Sequence, residues 1–414
     1  MKSLYYFLRF TLVVVCVCTM HVTALAYDFV VDGIAYNVLD NEVEVTSNIP
    51  YQFGPNYGGM NIVNIPSEVT YDGKTYAVTA IGDDAFNRSM VKVVHLPNTV
   101  KVIGSAAFAD CGITSVWIPN SVTRICTYAF ANGLVYADAP LCSKSPTFNE
   151  NGYGGGLTSL YVPSSVTVIE RNAFYGCCDL KFIEVDQENP AYDSRNDCNA
   201  LIETVTGVLL QGCSTTVIPN EVTSIGENVF FDCKDLTEID IPESVTTIRY
   251  SAFAGTGLTS LRIPNSITRL GQFCFYCCAS LTDVIIGKSV EVIESFAFNG
   301  DHALRRITCK ALTPPRVSSM YGVPFEYENI TLRVPAEVLE DYKAANVWKE
   351  FPYIEGFFKG DVNDDKEVNI QDINMTINLI LNDDYYDSAD VNEDGEVNIA
   401  DINAIIAIVL KLNQ

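Results

Sequence analysis

A phenylalanine recurs at a nearly constant spacing, and that spacing decides what this 414-residue chain can fold into. Phe86, Phe108 and Phe130 lie 22 residues apart, and Phe230, Phe253, Phe275 and Phe298 follow one another at 23, 22 and 23. Around each Phe the same unit returns: Val100-Lys101-Val102-Ile103-Gly104, then Ala107-Phe108, Cys111 and Ile118-Pro119-Asn120-Ser121. Val78 to Ile81, Val122 to Ile125 and Val166 to Ile169 repeat its first part. A period in the twenties with apolar residues in fixed slots is the mark of a leucine-rich solenoid. In the rung Leu258-Thr259-Ser260-Leu261-Arg262-Ile263-Pro264, Leu258, Leu261 and Ile263 point inward while Ser260 and Arg262 point out. One rung cannot bury that face alone. Stacked rungs bury it together, their strands pair into a parallel sheet, and Pro ends each strand because it has no N–H for the ladder. The Phe fills the far side of the core from a short helical turn.

This frame also explains the cysteines. Cys111, Cys177 or Cys178, Cys233, and Cys277 or Cys278 follow the repeat Phe by two to four residues, in a small apolar slot. Most are expected to be core thiols, with bridges between adjacent rungs as the alternative. Two stretches interrupt the period, residues 131–156 and 186–217, and each reads either as a binding loop or as a neutral surface excursion. A solenoid needs covered ends. Residues 27–75 read as a β-rich cap, 76–313 as the repeats, and 314–358 as a C-terminal cap. That cap has a last strand at Leu332-Arg333-Val334-Pro335 and a helix from Ala336 to Glu350 burying Val338, Leu339, Tyr342 and Trp348. Residues 1–26 read as a secretory signal: Lys2 and Arg9, the apolar run Leu12 to Cys18, then Ala24-Leu25-Ala26 as cleavage site. No later stretch is long enough for a transmembrane helix. A formal net charge of −25 disfavours nucleic acid and anionic lipid as partners.

The pattern Ile-Pro-Asn-Ser-Val-Thr-x-Ile, three residues and Ala-Phe resembles the BspA-like family of bacterial leucine-rich repeats across about residues 76 to 313. The resemblance implies a secreted or cell-surface protein that binds a protein or glycan ligand whose identity the repeats do not name.

After residue 358 the pattern changes. Asp361-Val362-Asn363-Asp364-Asp365-Lys366-Glu367-Val368-Asn369-Ile370-Gln371-Asp372 matches Asp390-Val391-Asn392-Glu393-Asp394-Gly395-Glu396-Val397-Asn398-Ile399-Ala400-Asp401 slot for slot, 29 residues apart. Calcium takes oxygen ligands from a compact loop, and these segments place oxygens in the EF-hand order. Positions 1, 3 and 5 are Asp361, Asn363 and Asp365, then Asp390, Asn392 and Asp394; position 7 offers the carbonyls of Glu367 and Glu396; position 12 is Asp372 and Asp401. Two calcium sites are expected, each leading into an amphipathic helix with Ile373, Ile377 and Ile380, or Ile402, Ile406 and Val409, on its apolar face. Lys366 stands where the sharp turn prefers Gly, so the first site should be the weaker. Residues 359–414 resemble the type I dockerin, a small all-α, EF-hand-like duplication. That resemblance implies docking onto a cohesin domain of another protein. The family's recognition slots fall on Ile370 and Gln371, and on Ile399 and Ala400. Hydroxyl residues are common in those slots in the family and absent here, which implies a different partner specificity.

Catalysis has little to stand on. Beyond His21, in the leader, the chain has only His95 and His302, and it shows no zinc-protease helix, nucleophile elbow or phosphate-binding loop. The outward residue before each Ile-Pro step is His95, Trp117, Tyr136 and Tyr161 in the first rungs, then Glu184, Asp240, Arg262, Ile285, Thr308 and Arg333. The first four make an aromatic stripe, suited to a ligand or equally to a cross-strand ladder. The expectation is therefore a mainly β solenoid with a small calcium module, acting as an extracellular, non-catalytic binding protein. The rivals are a free surface adhesin with a structural calcium tail and a dockerin-borne component of a polysaccharide-degrading complex.

Overall fold

The computed structural model describes residues 27–48, 57–132, 156–318 and 322–412. The proposed leader and Tyr136 lie outside them. The chain forms two compact units, of which the first holds described residues up to Cys177 and the second those from Cys178.

In the first unit, Phe29–Val31, Ile34–Leu39 and Glu42–Thr46 form an antiparallel meander. Glu42–Thr46 then pairs in parallel with Lys74–Ile81, which opens the array. From there two-residue strands stack in parallel, Ala80-Ile81 on Val102–Ile103, on Arg124–Ile125, on Val168–Ile169. These are the Val-x-x-Ile segments, so each rung contributes a strand that the inward/outward reading of the Leu-x-x-Leu-x-Ile segment does not reveal. The longer segments form a separate ladder, as Ile62–Asn64 does with Val93–His95. Arg124 is followed along the stack by Val168, and the Thr158 N–H donates to the Thr114 carbonyl 44 residues away, twice the period. Described residues 44 apart in sequence are thus direct neighbours on both ladders at this point, Trp117 and Tyr161 among them.

The second unit repeats this plan. The excursion at 186–217 is not a free loop: Tyr192–Asp193, Leu201–Glu203 and Val208–Gln211 form an antiparallel meander, and the last strand joins Ser224–Ile225 in parallel. The short strands continue through Thr247–Ile248, Arg269–Leu270, Val292–Ile293 and Arg316–Val317. The long strands stack as Ser260–Ile263, Asp283–Ile286, Arg306–Cys309 and Thr331–Pro335. A further strand, Tyr353–Phe357, pairs beyond Thr331–Pro335, which is therefore not the last. The anticipated helix at 336–350 is broken into Ala336–Val338, Leu339–Ala344 and Trp348–Glu350, because the chain turns back at Val347 (φ 73°) to reach that final strand.

Between the two ladders lies a column of phenylalanines. Phe86, Phe108, Phe130 and Phe174 stack with ring centroids 5.2, 5.3 and 5.6 Å apart. Phe230, Phe253, Phe275, Phe298 and Phe325 follow at 5.0, 5.3, 5.2 and 5.5 Å. Each Phe from Phe86 to Phe298 is presented by a tight turn whose residue two positions earlier is left-handed, from Asp84 (φ 54°) to Phe296 (φ 60°). Repeat threonines tie rungs together: Thr246 Oγ1 donates to the Thr223 carbonyl (3.2 Å) and Thr282 Oγ1 to that of Thr259 (3.0 Å). Cys111, Cys177, Cys233 and Cys278 each follow the repeat Phe by three residues and are buried. Burial pushes the Cys111 thiol up to about 12 and that of Cys309 to about 11, which leaves both inert at neutral pH. Cys277 is disulfide-bonded.

Candidate metal centre and exposed faces

The acidic module has a small core of Val362, Ala389, Val391 and Ile405, too little to hold two loops of like charge without help. Its helices run Ile370–Asn382 and Ile399–Leu412. Each loop closes on the carboxylate at position 12. Asp372 Oδ1 accepts the N–H of Val362 (2.8 Å) and Asn363 (3.2 Å), while its Oδ2 accepts that of Asn369 (2.8 Å) and completes a capping box at the helix start. Asp401 does the same for Asn392 (3.0 Å) and Asn398 (2.9 Å). Position 1 gathers the turn: Asp361 accepts from Asp365 and Lys366, and Asp390 from Asp394 and Gly395. Asn363 and Asn392 each receive the N–H two residues on and donate to Asp365 and Asp394. Glu367 and Glu396 give their N–H to those aspartates, with their side chains in solvent. The sixth residue is left-handed in both loops, Lys366 at φ 73° and Gly395 at φ 92°.

In the second loop, carboxylate oxygens of Asp390, Asp394 and Asp401 lie within 4.8 Å of one another, the one trio of acids that converges so closely among the described residues. Burial, with Asp401 adding repulsion, holds the Asp390 carboxyl above the usual carboxylate range. Burial does the same to Asp361, with Asp372 and Asp364 adding repulsion. Negative charges crowded in this way are unfavourable unless a cation joins them, and all the converging donors are oxygens. The residues therefore fit a hard divalent cation.

Ile370, Gln371, Ile399 and Ala400 are all exposed. The helix faces differ from the expected ones. Ile373 and Ile380, and Ile402 and Val409, are partly buried, but Ile377 and Ile406 are each 37 % exposed. Thr376 and Ile405, together with Met375, Leu379 and Ile408, supply the inward contacts instead. Ile377 belongs with Ile370 and Leu381, and Ile406 with Ile399 and Leu410, in two outward apolar stripes related by the 29-residue repeat. Both faces of these helices are apolar, so helical spacing alone picks out neither as the buried one.

Among the described residues of the aromatic stripe, Trp117 is 70 % exposed and stacks on Tyr161 at 5.8 Å and 9°. His95 is exposed and paired with Asn64 across its ladder. The outward column of the second unit is Arg262, Ile285, Thr308 and Arg333, in register, followed by Glu355.

Stacked rungs with two parallel ladders and a central aromatic column define a leucine-rich-repeat solenoid, here followed by a duplicated loop-helix module. The BspA type leucine-rich repeat region matches in six copies over residues 61–181 and 210–323, and the chain belongs to that family. The dockerin type I domain matches residues 359–410. Both are binding domains without catalytic machinery of their own, and type I dockerins typically bind calcium and cohesins. Among solved structures, the pneumococcal vaccine antigen PcpA is similar at 17% identity and TM-score 0.50, covering 80% of this chain and 99% of that one. A leucine-rich repeat protein from Bacteroides ovatus is similar at 20% identity and TM-score 0.46, covering 80% and 79%. A leucine-rich cell surface protein from Faecalibacterium prausnitzii reaches 22% identity and TM-score 0.39, covering 79% and 94%. No curated protein matches the chain. Among the described residues, no helix is long and apolar enough to cross a membrane.

Proposed function

We propose that this chain is an extracellular, non-catalytic binding protein whose repeats engage a protein or glycan while its calcium-loaded module docks onto a cohesin-like domain. The observation that carries the reading is the pairing of each carboxylate loop with an exposed apolar stripe on the helix it caps. Calcium bound at the loops would neutralise the crowded carboxylates and so stabilise the module. Asp361, Asn363, Asp365, the Glu367 carbonyl and Asp372 would hold one ion; Asp390, Asn392, Asp394, the Glu396 carbonyl and Asp401 would hold the other. The capping box at Asp372 and the matching Asn398–Asp401 bond couple loop order to helix order, since the two oxygens of one carboxylate serve the loop and the helix start. Ile370 with Ile377 and Leu381, and Ile399 with Ile406 and Leu410, then offer two equivalent apolar faces. Gln371 and Ala400 sit beside them.

The test is capture from surface and secreted extract of the producing bacterium on the immobilised full chain, with calcium and then with a chelator. Calcium-dependent retention of a cohesin-bearing protein, lost in Ile370→Asp with Ile399→Asp, is the expected result. Capture of nothing calcium-dependent would favour a free adhesin with a structural calcium tail. Release of reducing sugar from polysaccharide by the purified chain would overturn the non-catalytic reading.

The Trp117–Tyr161 stack favours a ligand face on the first unit. Two exposed parallel rings present a flat apolar platform of the kind on which sugars or protein anchors rest. Trp117→Ala is expected to weaken binding to the ligand about tenfold or more without changing the melting temperature. Unchanged affinity would make the stack structural.

A further inference from the structure

The chain is strongly acidic, yet the last rungs present bases outward, and four of them, Arg262, Lys288, Lys310 and Arg333, reach the acidic module. Lys288 pairs with Glu393, and Arg333 with Asp364. These acids occupy the same fourth loop position, 29 residues apart. Lys310 Nζ lies 2.7 Å from Asp387, which Arg262 approaches at 3.4 Å. A cleft of about 1470 Å³ separates the rest of the two surfaces.

One contact differs from the others because it touches a loop ligand. Arg262 Nη2 lies 3.5 Å from Oδ2 of Asp390, the position-1 carboxylate of the second loop, whose side chain is fully shielded from solvent. The same oxygen accepts from the Gly395 N–H (3.0 Å) and the Tyr385 hydroxyl (3.2 Å). The guanidinium also lies over the Tyr385 ring, 5.5 Å from its centroid. In the first loop the corresponding Asp361 accepts backbone N–H groups, and no base of the repeats pairs with it among the described residues.

We infer that the repeats tune their own calcium module through Arg262: seating the module on the last rungs weakens calcium binding at the second loop, and calcium at that loop loosens the seating. The inference rests on the calcium reading above. Two cations drawn to one buried carboxylate repel each other, and shielding from water keeps that repulsion strong. Linkage makes the effect reciprocal, so the factor by which seating weakens calcium is the factor by which calcium weakens seating. Ile370, Leu381, Ile399 and Leu410 are exposed with the module seated, so seating leaves the proposed partner face open. The device adjusts calcium response and the rigidity with which the module is held. It does not mask the module.

The experiment is calorimetric calcium titration of the full chain at low ionic strength, comparing wild type, Arg262→Gln and Arg306→Gln. Each is also made with Asp361→Asn, so that the remaining isotherm belongs to the second loop. Arg306 pairs with Asp283 of its own sheet and serves as the control. Arg262→Gln is expected to tighten the second site by about fivefold or more, with Arg306→Gln unchanged. In the wild type, the yield of a zero-length crosslink between Lys310 and Asp387 should fall severalfold when calcium is added. Equal or weaker affinity in Arg262→Gln, or a crosslink yield indifferent to calcium, would overturn the coupling. Absence of calcium uptake by every variant would instead bring down the calcium reading and the coupling with it.

Discussion

At the scale of single residues, position in the fold gives ordinary side chains unusual properties. Asp301 is buried at a turn of the second unit, where its Oδ1 accepts the Cys278 N–H at 2.7 Å and its Oδ2 has no hydrogen-bond partner among the described residues. Burial raises its carboxyl well above the usual range. A carboxyl whose folded pKa is raised favours folding below its unfolded value, near about 3.9, and that contribution is lost as pH rises through the higher folded value. Asp301→Asn keeps the Oδ1 acceptor and removes the buried charge. It should stabilise the protein by about 1–2 kcal/mol at pH 7, with the gain vanishing toward pH 4, as read by denaturant unfolding at both pH values. Nothing in Asn299-Gly300-Asp301 marks this aspartate in the sequence, because its burial comes from packing between rungs. Lys366 is the opposite case. Its left-handed backbone (φ 73°) was legible from loop spacing alone, since the sixth loop position turns sharply whatever surrounds it. Lys366→Gly relieves about 1 kcal/mol of backbone strain and should tighten the first calcium site about fivefold by calorimetry. No change would mean that the loop's turn does not limit its affinity.

At the scale of elements, the aromatic column was readable and its partners were not. The period alone places Phe230 to Phe298 in one file, because residues one rung apart must stack. Phe253→Ala in the middle of that file removes a fully buried ring held between Phe230 and Phe275 at 5.0 and 5.3 Å. A loss of about 3–5 kcal/mol is expected in denaturant unfolding. A loss under about 1 kcal/mol would mean that the column contributes little beyond filling space. Phe325, which continues the file, escaped the period because it follows Phe298 by 27 residues. The module helices failed to declare their inward face for a related reason. Ile370, Ile377 and Leu381 recur at helical spacing just as Thr376 and Leu379 do, and only contact with Ala389 and Ile405 distinguishes burial from display.

At the scale of the molecule, a solenoid is held by nearest neighbours, so its ends decide how it frays. Trp348 closes the second unit: its Nε1 donates to the Pro315 carbonyl (2.8 Å), and its ring packs on Phe325 and Phe351 at 5.7 and 6.0 Å. Trp348→Ala should raise amide exchange in Arg306–Cys309 and Thr331–Pro335 well before it affects the strands near Ser224–Ile225, at a cost of about 3–5 kcal/mol. Uniform loss of protection across the whole unit would instead show that it unfolds as one cooperative block.

The amino-acid sequence by itself determined the stacking period, the inward slots of each rung, the thiol slot three residues after the Phe, and the order of oxygen donors in two loops. All of these are relations along the chain, at separations set by one rung or one loop. Only the tertiary structure decided that Thr158 lies beside Thr114, that a strand follows Pro335, which face of each module helix is displayed, and that Arg262 meets Asp390. Those facts join residues up to 128 positions apart. No local propensity carries such a distance; it is settled when the rungs stack and the module comes to rest against them.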